Sequence, residues 1–155
     1  MSTKKPKAPV DVVRGFWERM EARDWNGALE LLADDLVVVW PATLERFECG
    51  DMFIAMNQAY PEGWHIAVQA VMAEKQDVLA WVAVTLDGQR SWCSQRATVH
   101  NKKIRNAVEL WTDEGGVVAP TWRKPFGSQP PVEAIVEAPA DDTPPEPPAS
   151  NEEHS

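Results

Sequence analysis

The apolar residues near the start of the chain recur with a helical period. Val13, Phe16, Trp17 and Met20 fall at i, i+3, i+4 and i+7, a spacing that places all four on one face of a helix. Asp24 follows and precedes a second, shorter apolar pattern. Its carboxylate can accept hydrogen bonds from the free amides of a first helical turn, so we expect Asp24 to cap a second helix.

The pattern then changes from helix to strand. Residues 36–40 form an apolar, β-branched run that is typical of a strand covered on both faces, and Pro41 ends it. Gly50 opens a third helix, which ends where Tyr60 meets Pro61. Four further strands are predicted over residues 64–74, 78–87, 90–100 and 103–112.

This order of elements predicts an α+β fold with a curved antiparallel sheet wrapped around N-terminal helices. Gly88 is expected in the hairpin turn after residue 87, because glycine readily adopts positive φ. In the strand over residues 78–87, apolar residues occupy both alternating sets, including Trp81 and Val82. The face of the sheet that the helices leave uncovered should therefore be apolar as well, a pattern consistent with a homodimer.

Composition divides the chain of 155 residues into one domain and two flanking segments. We expect a flexible basic N-terminus over residues 1–7, a domain over residues 8–125 and a disordered acidic, proline-rich tail over residues 126–155. Seven acidic residues and no basic residue follow Lys124, so removing −7 from the net charge of −9 leaves −2 for residues 1–125. The domain is therefore nearly neutral.

Several classes of function are disfavoured by what the sequence lacks. Beyond the short arm of Lys4, Lys5 and Lys7, which we interpret as a solvated terminus, Lys and Arg do not cluster, so neither nucleic acid nor a membrane is a predicted partner. The chain shows no apolar run long enough to span a membrane and no secretory signal, so a cytoplasmic protein is expected. Cys49 and Cys93 are expected to be free thiols. We find no phosphate loop, nucleophile elbow, dinucleotide motif or histidine cluster, so no cofactor and no metal are predicted.

The order of motifs resembles the SnoaL-like branch of the nuclear transport factor 2 (NTF2) superfamily over about residues 8–125. The resemblance is carried by Ala33-Asp34-Asp35, the strand over residues 36–41, the helix opened by Gly50 and the sequence Glu109-Leu110-Trp111. It implies a cone of curved sheet that encloses a pocket. It also implies a homodimer formed through the outer face of the sheet.

Ketosteroid isomerases of this superfamily provide a comparison for individual positions. The position of their catalytic base corresponds to Trp40 in this sequence, and the position of their second acid lies near Gln95. Their tyrosine on the first helix corresponds to a position near Phe16 or Trp17. An indole cannot abstract a proton, so this resemblance does not imply steroid isomerisation by that mechanism. The Asp, Arg, Asp set of the limonene epoxide hydrolases is also missing from the sequence.

The resemblance implies that the Trp111 side chain points into the pocket. Because side chains alternate along a strand, Glu109 and Ala107 should then point inward as well. By the same comparison, Cys93, Gln95, Ala97 and Val99 point inward from the neighbouring strand. Arg96 has the opposite parity and should point outward.

Two residues are candidates for proton transfer. Glu109 would be desolvated at an inward position, which would raise its pKa, and the alternative is a structural partner for Arg105 or Arg123. His65 could act as a base near neutral pH, and the alternative is a histidine at the rim or surface. The candidate ligand-binding residues are Trp17, Trp40, Asn57, Tyr60, Gln95 and Trp111.

Three functions remain open at the level of sequence. The first is a dimeric small-molecule binding protein with a mostly apolar ligand and no established catalysis. The second is an acid/base enzyme of the cyclase, isomerase or dehydratase type that acts on an apolar carbonyl compound. The third, a protein-interaction scaffold, rests only on the shared fold and the tail.

Overall fold

The computed structural model describes residues 8–129. The N-terminal segment predicted for residues 1–7 and most of the tail predicted for residues 126–155 lie outside the described residues. The elements are α1 (Pro9–Glu21), α2 (Trp25–Glu30), β1 (Leu32–Trp40), β2 (Glu45–Phe47), α3 (Gly50–Ala59), β3 (His65–Glu74), β4 (Asp77–Leu86), β5 (Gln89–His100), β6 (Lys103–Asp113) and a 3-10 helix (Thr121–Phe126).

The six strands form one sheet in the order β2-β1-β6-β5-β4-β3. All neighbouring strands are antiparallel except β1 and β6, which are parallel. The predicted α+β class is confirmed, and the sheet is mixed rather than wholly antiparallel. A parallel pair needs a long connection, and the chain between β1 and β6 supplies one because it contains the other four strands and α3.

The sheet differs from the sequence prediction chiefly at β1 and β2. Strand β1 begins at Leu32 rather than at residue 36, because Leu32 pairs with Ile104 and the Ile104 amide donates to the Leu31 carbonyl at 2.8 Å. We expected the sequence Ala33-Asp34-Asp35 to close the pair of N-terminal helices, but it lies within this strand, at a register irregularity. Strand β2 was not predicted, since three residues on an edge are too few to show a period.

The turn between β4 and β5 has the expected geometry. Leu86 pairs with Gln89, and the two residues between them, Asp87 and Gly88, have φ values of 50° and 79°. Two successive positive φ values match the right-handed twist of the flanking strands, so this turn fixes the register of the hairpin.

Helix α1 packs on β3, β4, β5 and β6 and covers one face of the sheet, which we call the inner face. Its buried residues are Val12, Val13, Phe16, Trp17 and Met20. The opposite, outer face exposes large apolar side chains, namely Met72, Leu79, Trp81, Val108 and Leu110. The prediction that both faces are apolar is thus confirmed. None of the helices within residues 8–129 is long and apolar enough to cross a membrane.

Asp24 caps α2, as predicted, and this contact can be tested. Its Oδ1 accepts a hydrogen bond of 3.0 Å from the Gly27 amide. We expect Asp24→Ala to lower the free energy of unfolding by about 1 kcal/mol in urea denaturation, because that amide loses its acceptor. Asp24→Asn keeps an acceptor and should lose much less. Equal losses in the two variants would contradict the capping role.

Candidate ligand-binding site

A cavity of about 360 Å³ lies between α1, α3 and the inner face of the sheet. Most of its wall is aromatic or aliphatic. The lining residues are Trp17, Met20, Trp40, Met56, Asn57, Tyr60, Trp64, Ile66, Val84, Ser91, Trp111 and Asp113.

A buried carboxylate lies behind this wall. The Glu109 side chain is only 1% exposed, and its Oε2 accepts hydrogen bonds from Trp40 Nε1 at 2.8 Å and Trp111 Nε1 at 3.0 Å. Its Oε1 accepts from Gln95 Nε2 at 2.8 Å, and Gln95 Oε1 in turn accepts from Trp17 Nε1 at 3.2 Å. We call these five residues the Glu109 network.

The sheet register brings the network together. Gln95 on β5 lies directly opposite Glu109 on β6, and Trp111 is two residues further along β6 on the same face. Trp40 ends β1 next to Glu109, because Val39 pairs with Val108 across the parallel strands. Trp17 comes from α1 and is also buried.

Burial raises the pKa of Glu109, because the ionised form loses its hydration, and the hydrogen bonds from Trp111, Gln95 and Trp40 oppose this rise. A protonated Glu109 would also have to donate a hydrogen bond. The two indoles only donate, and the Trp17 N–H holds the Gln95 carbonyl turned away from Glu109. The hydrogen-bond pattern is therefore that of an ionised carboxylate, whereas desolvation favours the neutral form.

The structure brings together five of the six residues predicted to contact a ligand: Trp17, Trp40, Asn57, Tyr60 and Trp111 line the same cavity. Gln95 and Glu109 do not line it and lie behind the indoles. Both are buried, as are Cys93, Ala97, Val99 and Ala107, which agrees with the predicted inward parity.

The other candidates lie outside the cavity wall. The His65 side chain is 76% exposed, and its Nδ1 is 3.1 Å from Glu21 Oε1. Arg96 points outward and pairs with Asp77 at 3.3 Å. Of the two proposed partners of Glu109, Arg105 pairs instead with Asp35 at 3.0 Å.

Arg123, the second proposed partner of Glu109, also makes a different contact. The Arg123 guanidinium lies 5.8 Å from the Trp122 ring centroid. Within residues 8–129, the hydrogen bonds of the Glu109 carboxylate come from the two indoles and the Gln95 amide and from no arginine.

Cys49 and Cys93 are free thiols, as expected. Burial raises the pKa of the Cys93 thiol, and the nearby charge of Glu109 adds to that effect.

Sequence reasoning missed two polar residues of the cavity, Ser91 and Asp113. They pair across β5 and β6, and the Ser91 hydroxyl donates to Asp113 Oδ1. The signal that could have found them is the same alternation, since Ser91 is two residues before Cys93 and Asp113 is two residues after Trp111. Asn57, which was predicted, donates its Nδ2 to the Phe53 carbonyl at 2.8 Å, so its Oδ1 is the atom available to accept.

Solved structures share this fold at low sequence identity. A proposed ketosteroid isomerase from Kribbella flavida DSM 17836 is 22% identical, with a TM-score of 0.72 over 81% of this chain and 91% of that one. An NTF2-like protein of unknown function from Burkholderia xenovorans LB400 is 17% identical, with a TM-score of 0.63 over 79% and 95%. An LEH-like epoxide hydrolase from M. tuberculosis is 17% identical, with a TM-score of 0.57 over 67% and 82%.

These likenesses support the NTF2-like fold, and no protein in the curated set matches the chain in sequence. The family model of the SnoaL-like domain matches residues 13–119, which is more than half of the sequence. The chain therefore belongs to the SnoaL-like family, and it has an NTF2-like fold.

Proposed function

We propose that this protein binds a small, mostly apolar molecule in the tryptophan-lined cavity. The observation that carries the proposal is the cavity itself. Its volume of about 360 Å³ lies in the range of pockets that enclose small molecules, and apolar walls with a few polar groups are typical of such pockets.

The Glu109 network supports this proposal because it fixes the wall before a ligand arrives. Trp17, Trp40 and Trp111 each donate an indole N–H into the network, so their side-chain orientations are set within the folded protein. A pocket with immobilised walls spends less free energy on ordering side chains when a ligand binds. We assign Glu109 the role of positioning these indoles.

An acid/base enzyme is the alternative, and the raised pKa of Glu109 favours it. Direct proton transfer requires the acid or base to come within hydrogen-bond reach of the substrate. Trp40 and Trp111 stand between Glu109 and the cavity, and His65 lies outside the lining residues. The contacts therefore favour binding over proton transfer by these two residues.

We also propose that two copies pair through the outer face of the sheet. Trp81 stacks on Trp92 with ring centroids 5.1 Å apart, yet Trp81 remains 45% exposed and Leu110 remains 53% exposed. Contiguous apolar groups of this kind are typical of protein interfaces.

The ligand proposal can be tested with two substitutions on one helix. Met56 lines the cavity, whereas Met52, one turn earlier on α3, is 65% exposed and outside the lining. We expect a small molecule to co-purify with the wild type and with Met52→Trp, detected by native mass spectrometry and denaturing extraction. Met56→Trp should lower its occupancy at least about tenfold, because the added ring takes up cavity volume. An empty wild type, or equal occupancy in the two variants, would contradict the proposal.

The proposed dimer leads to a second measurement. Trp81→Glu should convert a dimer to a monomer in size-exclusion chromatography with light scattering, because dimerisation would bury the new carboxylate without a partner. Met52→Glu introduces the same charge elsewhere and should remain dimeric. A wild type that is already monomeric at micromolar concentration would refute the proposed pairing.

Glu109 should make stability depend on pH. Because its pKa is raised above the ordinary value of 4.5, the folded chain holds this proton more tightly than the unfolded chain does. Its stabilising contribution is fully present below pH 4.5 and is lost as the pH rises through the raised pKa. Melting curves of Glu109→Gln should not show this loss of stability with rising pH, because the amide does not titrate.

Glu109→Gln should also lower the free energy of unfolding by about 1–3 kcal/mol at all pH values, since its amide nitrogen faces other donors. The quantity to compare between variants is therefore the slope of the melting temperature against pH. Glu74→Gln, at an exposed carboxylate, serves as the control and should follow the wild type. Parallel slopes for wild type and Glu109→Gln would show that Glu109 does not titrate as described.

A further inference from the structure

We propose that the ligand of the cavity is an organic cation, with an apolar body and one ammonium group. This inference rests on the proposed function and names the chemical class of the ligand. It follows from three observations: the arrangement of the indole rings, the direction of their N–H groups, and the sign of the charges around the cavity.

The indoles form a continuous aromatic wall. The ring centroid of Trp111 lies 6.3 Å from that of Trp17 and 6.1 Å from that of Trp40, with interplanar angles of 63° and 58°. Rings inclined at these angles are not stacked on one another, although in the Trp17–Trp111 pair the edge of one indole lies against the face of the other. Cations bind over the faces of aromatic rings, tryptophan most strongly.

The indole N–H groups are turned away from any ligand. Those of Trp40 and Trp111 are donated to Glu109, and that of Trp17 is donated to Gln95. A carbonyl or carboxylate ligand would gain from such donors, and here the protein itself occupies all three indole N–H groups. Donation of an N–H to a carboxylate also increases the electron density of the indole ring, which strengthens its attraction for a cation.

The charge on the cavity lining is negative. Among the lining residues that the structure describes, Asp113 is the only charged side chain, and none is Lys, Arg or His. The Ser91 hydroxyl donates to Asp113 and so orients this carboxylate. Glu109 places a second carboxylate behind the indoles. An ammonium group should therefore be preferred over a neutral group of equal shape.

One cation already stacks on this wall from within the protein. The Arg23 guanidinium carbon lies 3.4 Å from the ring centroid of Trp64. Its charge is balanced, because Arg23 pairs with Glu62 at 2.7 Å and lies 3.8 Å from Glu21. The field of Arg23 is thus offset, and it does not reverse the negative sign of the cavity.

Two molecules of equal shape and different charge provide the test. Benzyltrimethylammonium and neopentylbenzene differ only in nitrogen against carbon at the branched centre. We expect the full chain to bind the cation at least about fivefold more tightly in calorimetric titration at low ionic strength.

Variants identify the source of this preference. Asp113→Asn should weaken binding of the cation about threefold or more and change the affinity of the neutral compound much less, because the substitution removes a charge at nearly constant shape. Glu74→Gln removes an exposed carboxylate at the opposite end of the sheet, close to the turn between β3 and β4, and should change neither affinity.

The outcomes separate this inference from the proposed function. If the neutral compound binds as tightly as the cation, or if the preference survives Asp113→Asn unchanged, the assignment of a cationic ligand is overturned and the binding function stands. If neither compound binds, both proposals fail.

Discussion

The carboxylate of Glu109 joins four elements of the fold at one buried point. It accepts hydrogen bonds from Trp40 on β1, Gln95 on β5 and Trp111 on β6, and Gln95 extends the network to Trp17 on α1. Removal of the carboxylate would leave three donors without an acceptor in the wall of the cavity, and unpaired buried polar groups are costly. The shape of the cavity and the orientation of its indoles both depend on this group.

The helices and the β3–β6 meander could be predicted from local patterns, since α1 shows a helical period and Gly88 marks a hairpin turn. The extent of β1 could not, because Leu32 enters the strand by pairing with Ile104, far along the chain. The same limit applies to the site. Alternation identified Glu109 as inward, but its contact with Trp40, 69 residues away, depends on parallel pairing that leaves no local signal.

The network also changes the meaning of the comparison with ketosteroid isomerases. The catalytic base of those enzymes falls at Trp40 and their second acid near Gln95, and here both residues donate hydrogen bonds to Glu109. A carboxyl group is therefore retained at this end of the fold, but it lies behind the indoles rather than among the residues that line the cavity. A group in that position acts on a ligand through its field and through the rings that it polarises, and not through proton exchange.

This arrangement has an energetic consequence. Within residues 8–129 the hydrogen bonds of Glu109 come from uncharged N–H groups and from no cationic side chain, so the cost of desolvating its charge is only partly offset. A cation held in the cavity would be separated from Glu109 by the Trp40 and Trp111 indoles and would stabilise the ionised carboxylate. Because such coupling is reciprocal, ionisation of Glu109 would strengthen binding of the cation by the same factor. The buried carboxylate that fixes the wall would thus also set the preference of the cavity for positive charge.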